Sequence, residues 1–269
     1  MVTLSAFADE ISADLTEQIA VLEQEGIRNI ELRGVWGKGV LDLDHREQDT
    51  IQLALDEHEF YISAIGSPIG KIGIEDDFEA HLKRFGKAIE MAHVFGCDYI
   101  RIFSFYIPEG KNPASYRDEV MRRLQTMADL AQGEGITLLH ENESRIYGDT
   151  AARCKELIDT VDSPCLRAIF DPSNFIQVGQ RPYKTCLPIL KDDIEYFHIK
   201  DAKLSTGEVK PAGEGDGQIA KILSEMIADG FEGFLSLEPH LKMDDKKAAF
   251  HIAATALKKI LREIEAEYD

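Results

Sequence analysis

Short apolar segments alternate with longer amphipathic segments along the whole chain, and this alternation limits the fold more than any other feature. Eight of the short segments are rich in β-branched or aromatic residues, which is typical of strands buried on both faces. The predicted strands are Val2–Phe7, Asn29–Leu32, Tyr61–Ile65, Tyr99–Phe103, Thr137–His140, Leu166–Phe170, Tyr196–Ile199 and Phe234–Leu237. Apolar residues at helical spacing predict helices around Leu15, Ile19 and Leu22, and over Asp77–Phe95, Tyr116–Leu130, Ala151–Asp159, Ile219–Ile227 and Lys246–Ile264.

A glycine separates several helical segments from the apolar strand that follows. The joints contain Gly26, Gly96, Gly135 and Gly230, and glycine readily adopts the left-handed backbone that ends a helix. Eight βα units in 269 residues match a closed (β/α)8 TIM barrel, with an open doubly wound sheet as the alternative α/β fold. Since no linker or low-complexity tract interrupts the chain, we expect one domain over residues 1–269.

The net charge of the chain limits the classes of partner that it can bind. Thirty Lys and Arg residues against 49 Asp and Glu residues give a formal charge of −19, which disfavours binding to the phosphate backbone of a nucleic acid. No segment approaches the roughly 20 apolar residues of a membrane span. The first ten residues lack the basic and apolar stretches of a signal peptide. We therefore expect a cytoplasmic protein with no nucleic-acid and no membrane partner.

Four neighbouring predicted strands end in residues that bind metals. A TIM barrel carries its active site at the carboxyl ends of its strands, and these ends offer Glu141, Asp171, His198 and Glu238. Alone, each residue is more commonly a helix cap or an ion-pair partner. Three carboxylates in one small mouth would repel each other, whereas a divalent cation removes that repulsion. Three carboxylates and one imidazole suit Mn²⁺, Mg²⁺ or Co²⁺, and less specifically Zn²⁺ or Fe²⁺.

Cationic residues also lie at the strand ends, namely Arg33, Lys71, Arg101 and Lys200. They can bind an anionic group of a substrate, a carboxylate or a phosphate. Alternatively, they pair internally with acidic residues such as Glu10. Because the whole chain is strongly acidic, these cations predict a mouth that is more positive than the protein around it.

Five further residues are candidates for substrate contact. Asn174 and His240 lie one step from the proposed ligands, so they either bind hydroxyl groups or orient the ligands. Glu31 either contacts a sugar or pairs with a nearby arginine. Ser67 belongs to a glycine-rich segment that could hold a phosphate, although it lacks Walker spacing. Glu214 lies in a glycine-rich segment that forms either a flap or a simple turn.

Several short motifs occur in a characteristic order. They are Phe7-Ala8-Asp9-Glu10, Ile30-Glu31-Leu32-Arg33, Glu141-Asn142, Asp171-x-x-Asn174, His198-x-Lys200-Asp201, Gly213-Glu214-Gly215-Asp216 and Leu237-Glu238-Pro239. With these motifs the chain resembles the xylose isomerase-like TIM barrels, the sugar-phosphate isomerase/epimerase superfamily, which also contains the family 2 AP endonucleases. The resemblance implies that Glu141, Asp171, His198 and Glu238 bind one metal ion. In the epimerase branch, it implies that Glu141 and Glu238 also move the proton.

These residue types suit proton transfer next to a carbonyl. A divalent ion bound to a carbonyl and a hydroxyl stabilises the enediolate that forms when a C–H proton leaves. One carboxylate can remove the proton, and a second carboxylate on the other face can return it. We predict a metal-dependent isomerase or epimerase acting on a sugar, sugar phosphate or keto sugar. The alternative is a lyase or dehydratase acting on an oxidised sugar or a cyclitol, which differs only in what leaves.

Two other classes fit the sequence less well. The resemblance implies that an AP endonuclease would carry extra histidines after strands 2, 3 and 6, where this chain has Glu31-Leu32-Arg33, Gly66-Ser67 and Asp171-x-x-Asn174. A non-catalytic sugar-binding barrel would not need all four ligands. The sequence does not determine the oligomeric state, and a homo-oligomer with its interface in the long βα loops is one alternative.

Overall fold

Eight parallel strands close into a barrel in the computed structural model, which describes residues 1–269. The strands β1–β8 are Thr3–Ala6, Asn29–Leu32, Tyr61–Ile69, Tyr99–Ile102, Thr137–Glu141, Leu166–Phe170, Ile194–Ile199 and Phe234–Leu237. Each strand pairs with its neighbours in sequence, and β8 pairs with β1 to close the barrel. The predicted TIM barrel is confirmed, and the open doubly wound sheet is excluded.

Helices surround the barrel between successive strands. The helices α1–α9 are Leu15–Gln24, His45–His58, Phe78–Phe95, Arg117–Gly133, Ala151–Val161, Pro172–Gln177, Leu187–Leu190, Ile219–Ala228 and Lys246–Glu263. Short helical turns occur at Ala8–Glu10, Val40–Asp42, Pro113–Tyr116, Pro182–Cys186 and Lys191–Asp193. Two small hairpins pair Gly34–Val35 with Lys38–Gly39 and Asp201–Ala202 with Val209–Lys210. None of the helices combines the length and the apolar character that crossing a bilayer requires.

Local sequence signals mark both ends of many helices. Asp14, Asp44, Asp77 and Asp245 each accept a hydrogen bond from a backbone N–H in the first turn of a helix, which satisfies donors that the helix leaves free. Part of the acidity of the chain therefore serves to start helices. The predicted glycine stops all have left-handed φ angles: +64° at Gly26, +64° at Gly96, +72° at Gly135 and +95° at Gly230.

The structure departs from the predicted elements most clearly at β3 and α2. Strand β3 continues beyond the predicted end at Ile65 to Ile69, because Pro68 lies where the register with β4 shifts and needs no ladder N–H. Helix α2 was not predicted, because its buried face includes the polar Gln48 beside Ile51 and Leu55. The amide of Gln48 donates to a backbone carbonyl, so this residue fills an apolar position without leaving a buried donor unpaired.

An apolar layer fills the middle of the barrel. Its members are Ala64, Leu139, Ile169 and Tyr196. Side chains two residues apart along a strand point the same way. Three predicted ligands follow this layer at that spacing: Glu141 after Leu139, Asp171 after Ile169 and His198 after Tyr196. The apolar layer thus lies directly beneath three of the predicted ligands in the barrel.

The turn after β3 depends on Gly70. Its φ is +89°, and a Cβ at this position would overlap the backbone carbonyl of Phe103. Gly70→Ala should lower the free energy of unfolding by about 2–5 kcal/mol, because left-handed strain and overpacking add together. Gly110→Ala is the matched control, since Gly110 has φ +74° but no atom near its Cβ position. Urea denaturation measures both variants, and equal losses would contradict the steric explanation.

Candidate metal centre

The four predicted ligands lie together at the carboxyl end of the barrel. Glu141, Asp171, His198 and Glu238 each offer one atom, and these atoms lie within 4.8 Å of one another. The side chains are buried and lie at the carboxyl ends of the adjacent strands β5–β8 or directly after them. The Nδ1 atom of His198 lies 3.2 Å from Glu141 Oε1, 3.9 Å from Glu238 Oε2 and 4.0 Å from Asp171 Oδ2. The structure thus brings all four together around one imidazole nitrogen.

Two atoms of this group are buried without a hydrogen-bond partner, Asp171 Oδ2 and His198 Nδ1. Lys200 Nζ lies 2.8 Å from Asp171 Oδ2, but only as an ion pair without hydrogen-bond geometry. Buried polar atoms without a hydrogen bond are rare in native proteins and call for an explanation. A cation held by three carboxylates and an imidazole would satisfy both atoms. The residues present therefore fit one divalent metal ion.

Asparagines fix the orientation of the carboxylates. Asp171 caps α6 by accepting the Asn174 N–H at 2.9 Å with Oδ1, which leaves Oδ2 for another partner. The Asn174 side chain donates to Glu141 Oε1 at 3.0 Å. Asn142 bonds to the backbone N–H and carbonyl of Asp171, both at 3.0 Å. Asn174 thus orients a predicted ligand, which is one of the two roles expected for it, and Asn142 was missed.

The buried charges on the β5 and β7 side stabilise one another. Burial disfavours the ionised form of Glu141, but the nearby His198 and Arg101 outweigh it and lower the pKa of Glu141 to about 2. Burial likewise disfavours the imidazolium of His198, whereas the carboxylates of Glu31 and Glu141 raise its pKa to about 10. Glu141 is therefore an ionised carboxylate at neutral pH.

The remaining two carboxylates differ in their protonation. Burial opposes ionisation of Glu238, but Lys200 and His198 hold its pKa well below the usual range. Burial raises the pKa of Asp171 to about 6, and Lys200 only partly offsets that effect. Glu238 is consequently a stronger acid than its neighbour Asp171, although both are fully enclosed.

Arg33 and His240 form a charged network on one wall of the mouth. Arg33 lies 2.7 Å from Asp9, 2.9 Å from Glu10 and 3.1 Å from Glu238. His240 Nε2 lies 2.8 Å from Glu10 and 3.4 Å from Glu238, and the hydrogen bond with Glu10 raises the pKa of His240. These contacts support the internal-pairing alternative for Arg33.

Lys200 and Arg101 are buried cations that also pair internally. Lys200 Nζ contacts Asp171 at 2.8 Å and Glu238. Arg101 Nη1 lies 3.2 Å from Glu141, and the guanidinium also donates to the backbone carbonyls of Gly66 and Ser67 in β3. Both cations balance carboxylates of the candidate centre.

Lys71 is the least neutralised of the four strand-end cations. Its ammonium group has one carboxylate partner, Glu143 at 3.3 Å, and lies 4.2 Å from the centre of the Phe103 ring. The side chain remains 32% exposed. Lys71 therefore keeps the most capacity to bind a further anion.

A cavity of about 410 Å³ opens above the candidate centre. It is lined by Arg33, Gly39, Gly66, Pro68, Lys71, Arg101, Glu141, Glu143, Asn174, Gln177, Lys200, Glu238 and His240, none of which is hydrophobic. This size accommodates a small molecule, and the lining suits a solute rich in hydroxyl groups. The lining carries four cations and three carboxylates, whereas carboxylates outnumber cations over the whole chain. Glu143 and Gln177 were not predicted.

Two predicted substrate contacts are buried below the cavity, which corrects their assignment. Ser67 is fully buried, and its hydroxyl donates to the Arg101 carbonyl at 2.5 Å. The segment around it continues β3, so it does not form a phosphate loop. Glu31 is also fully buried, where its carboxylate bonds to His198 Nε2. Neither side chain lines the cavity.

Glu214 is also corrected, because it lies away from the cavity on a groove beside α9. The buried carboxylate of Asp201 accepts hydrogen bonds from the backbone N–H groups of Gly213, Gly215 and Gly217 at 3.1, 3.1 and 2.8 Å. These bonds wrap the glycine-rich segment around Asp201 and turn Glu214 outward. The segment therefore forms an anchored turn.

Known proteins with solved structures share this barrel. The IOLI protein, solved with a bound zinc atom, superposes with a TM-score of 0.81 at 16% identity over 98% of this chain and 99% of that chain. The probable 3-DHS dehydratase AsbF of Bacillus anthracis gives a TM-score of 0.77 at 20% identity over 96% and 98% of the two chains. At these identities the likeness shows the fold.

Comparison of sequences assigns the chain to a family. A 2-epi-5-epi-valiolone 7-phosphate 2-epimerase of Actinoplanes sp. is 27% identical over 103 residues, which are 38% of this chain and 36% of that relative. The match thus spans little more than a third of the epimerase. The family model described as xylose isomerase-like TIM barrel matches residues 19–260, which is most of the chain. The protein therefore belongs to the xylose isomerase-like TIM barrel family.

Proposed function

We propose that the protein is a divalent-metal-dependent isomerase or epimerase of a sugar, sugar phosphate or keto sugar. One observation carries the proposal: of the four candidate ligands, only Glu141 and Glu238 also line the cavity. Their pKa values are held low, so both are ionised at neutral pH, which is the form that binds a metal ion. The similarity to a 2-epi-5-epi-valiolone 7-phosphate 2-epimerase over part of the chain supports the same class of reaction.

Glu141, Asp171, His198 and Glu238 would hold the metal ion. Such an ion supplies a Lewis acid that favours loss of a proton from the carbon next to a carbonyl. The chain itself supplies the dry, charge-balanced surroundings, because Arg101 and Lys200 neutralise the carboxylates inside the barrel.

The two glutamates would move the proton. One carboxylate takes the proton from the carbon next to the carbonyl, and the C–H electron pair becomes the double bond of an enediolate. Glu141 ends β5 and Glu238 follows β8, at the two ends of the ligand set. Return of a proton by the opposite carboxylate inverts the carbon. Return by the same carboxylate to the neighbouring carbon, with transfer of the hydroxyl proton to the former carbonyl oxygen, moves the carbonyl. Loss of a leaving group instead would make the enzyme a lyase or dehydratase.

Asp171→Asn tests the metal site. Asparagine also caps helices well, so α6 should persist in this variant. The affinity for Mn²⁺ should fall at least about 100-fold, because loss of a ligand should cost more than loss of a residue that only hydrogen-bonds to a ligand. Titration calorimetry with Mn²⁺ measures the affinity, with Asp229→Asn at the opposite end of the barrel as the control. A wild-type protein that binds no divalent ion would refute the metal site.

Glu238→Gln tests the proton transfer. In D₂O, the Mn²⁺-loaded wild type should exchange the hydrogen next to the carbonyl of its substrate, which proton NMR follows across a panel of ketoses and keto sugar acids. The variant should exchange at least about 100-fold more slowly, the usual contribution of a general base. NMR of the products also separates an isomer or epimer from a dehydrated product.

Glu232→Gln is the matched control for that experiment, because Glu232 is exposed before the amino end of β8 and pairs only with the N-terminus. Its exchange rate should equal that of the wild type. Unchanged exchange in Glu238→Gln, with metal content confirmed in the same sample, would remove Glu238 from the reaction.

Lys71→Met tests recognition of an anionic substrate group. A charge-assisted hydrogen bond contributes about 1.5–3 kcal/mol, so affinity for 5-keto-D-gluconate should fall about tenfold or more while affinity for neutral D-fructose stays the same. Lys191→Met is the control, because Lys191 pairs with one carboxylate at the amino end of the barrel and is similarly exposed. Equal losses for both sugars would argue against an anion contact at Lys71.

A further inference from the structure

Glu31 is a buried acidic residue that does not line the cavity. Its side chain is fully enclosed, and its only hydrogen-bond partner is His198. The His198 Nε2 atom lies 3.2 Å from Oε1 and 3.1 Å from Oε2, so the ring nitrogen faces both carboxylate oxygens. Burying a carboxylate is costly unless it is paired. The arrangement therefore needs a reason beyond packing.

A β-bulge places Glu31 at this depth. Ile30 of β2 pairs with Ile62 of β3, but Glu31 pairs with Ala64, so Ser63 is the extra residue. Bulges re-aim side chains and recur beside active sites. The Ser63 hydroxyl bonds to Tyr196 at 2.9 Å within the barrel. The displacement brings a side chain of β2 to His198 on β7, although β1 and β8 lie between these two strands.

Aromatic rings complete the enclosure of the imidazole. Phe7 and Tyr196 meet the His198 ring edge-on, with ring centres 5.1 and 5.9 Å away. Because Nε2 is hydrogen-bonded to the Glu31 carboxylate, the imidazole ring cannot flip by 180° without losing that interaction. The other nitrogen, Nδ1, is thereby directed at Glu141, Asp171 and Glu238.

We infer that Glu31 is a positioning residue that keeps the Nε2–H of His198 in a hydrogen bond, so that Nδ1 is presented to the metal ion. The inference rests on the metal site of the proposed function. A carboxylate that accepts the second N–H of a ligating histidine fixes the tautomer and the orientation of the ring and increases its basicity. Glu31 acts only through His198, since it reaches neither the cavity nor the other ligands.

The test compares Glu31→Gln, Glu31→Ala and the control Ser5→Ala. Ser5 is a buried barrel residue that bonds to Ser63 and makes no hydrogen bond to His198, so Ser5→Ala removes an interior hydrogen bond that does not involve the imidazole. Calorimetry with Mn²⁺ should show affinity about 10-fold weaker for Glu31→Gln and about 100-fold weaker for Glu31→Ala, the range for such partners of metal ligands. Ser5→Ala should bind like the wild type.

A spectroscopic readout separates positioning from general stability. In the Co²⁺-loaded wild type, the exchangeable Nε2–H of His198 should give one strongly shifted proton NMR signal in H₂O. Glu31→Gln, which keeps the shape of the side chain, should move that signal or speed its exchange. If Glu31→Ala does not fold, Glu31→Gln alone decides the question.

The possible failures are distinguishable. A wild type without Mn²⁺ affinity would overturn the proposed function, and the inference with it. A wild type that binds Mn²⁺, beside a Glu31→Gln variant with unchanged affinity and an unchanged Nε2–H signal, would overturn the inference alone. Equal weakening in Ser5→Ala would show that the effect is only a general loss of interior packing.

Discussion

The site depends on keeping buried carboxylates ionised inside the barrel. Glu141 and Glu238 are almost completely buried, and each relies on a cation from a neighbouring strand, Arg101 on β4 and Lys200 after β7. Removing one partner of such a pair would leave an uncompensated buried charge, which is strongly destabilising. A one-residue slip of a strand would turn these side chains away from each other. Charge balance and strand register therefore reinforce one another.

The fold was largely predictable because its signals are local. Eight apolar segments and the glycine stops between them place every barrel strand correctly. The errors arise where tertiary contacts override local rules. Strand β3 passes through Gly66 and Pro68, which normally end strands, because its register with β4 shifts there. Helix α2 buries Gln48, whose amide finds a backbone carbonyl that no sequence pattern reveals.

The site was only partly predictable, since position after a strand does not determine depth along the barrel axis. The strand-end rule located the four side chains that meet around His198 Nδ1. It could not place Glu31 or Ser67, which occupy similar sequence positions but lie below the cavity. Depth depends on strand stagger and on the bulge opposite Glu31, and both result from pairing between distant segments. The prediction for Glu214 was wrong because the Asp201 carboxylate binds backbone N–H groups of the glycine-rich segment, and this contact is not visible in the local sequence.

The candidate ligands divide into two kinds by what else they touch. Asp171 and His198 face inward and are held by α6 and by Glu31, so they suit the task of retaining an ion. Glu141 and Glu238 face both the centre and the cavity, so they suit the task of exchanging protons. Removal of a proton is the same first step for an isomerase, an epimerase and a dehydratase. Under the proposed function, the difference between them would lie in the cavity wall, to which Lys71, Glu143 and Gln177 contribute beside the two glutamates.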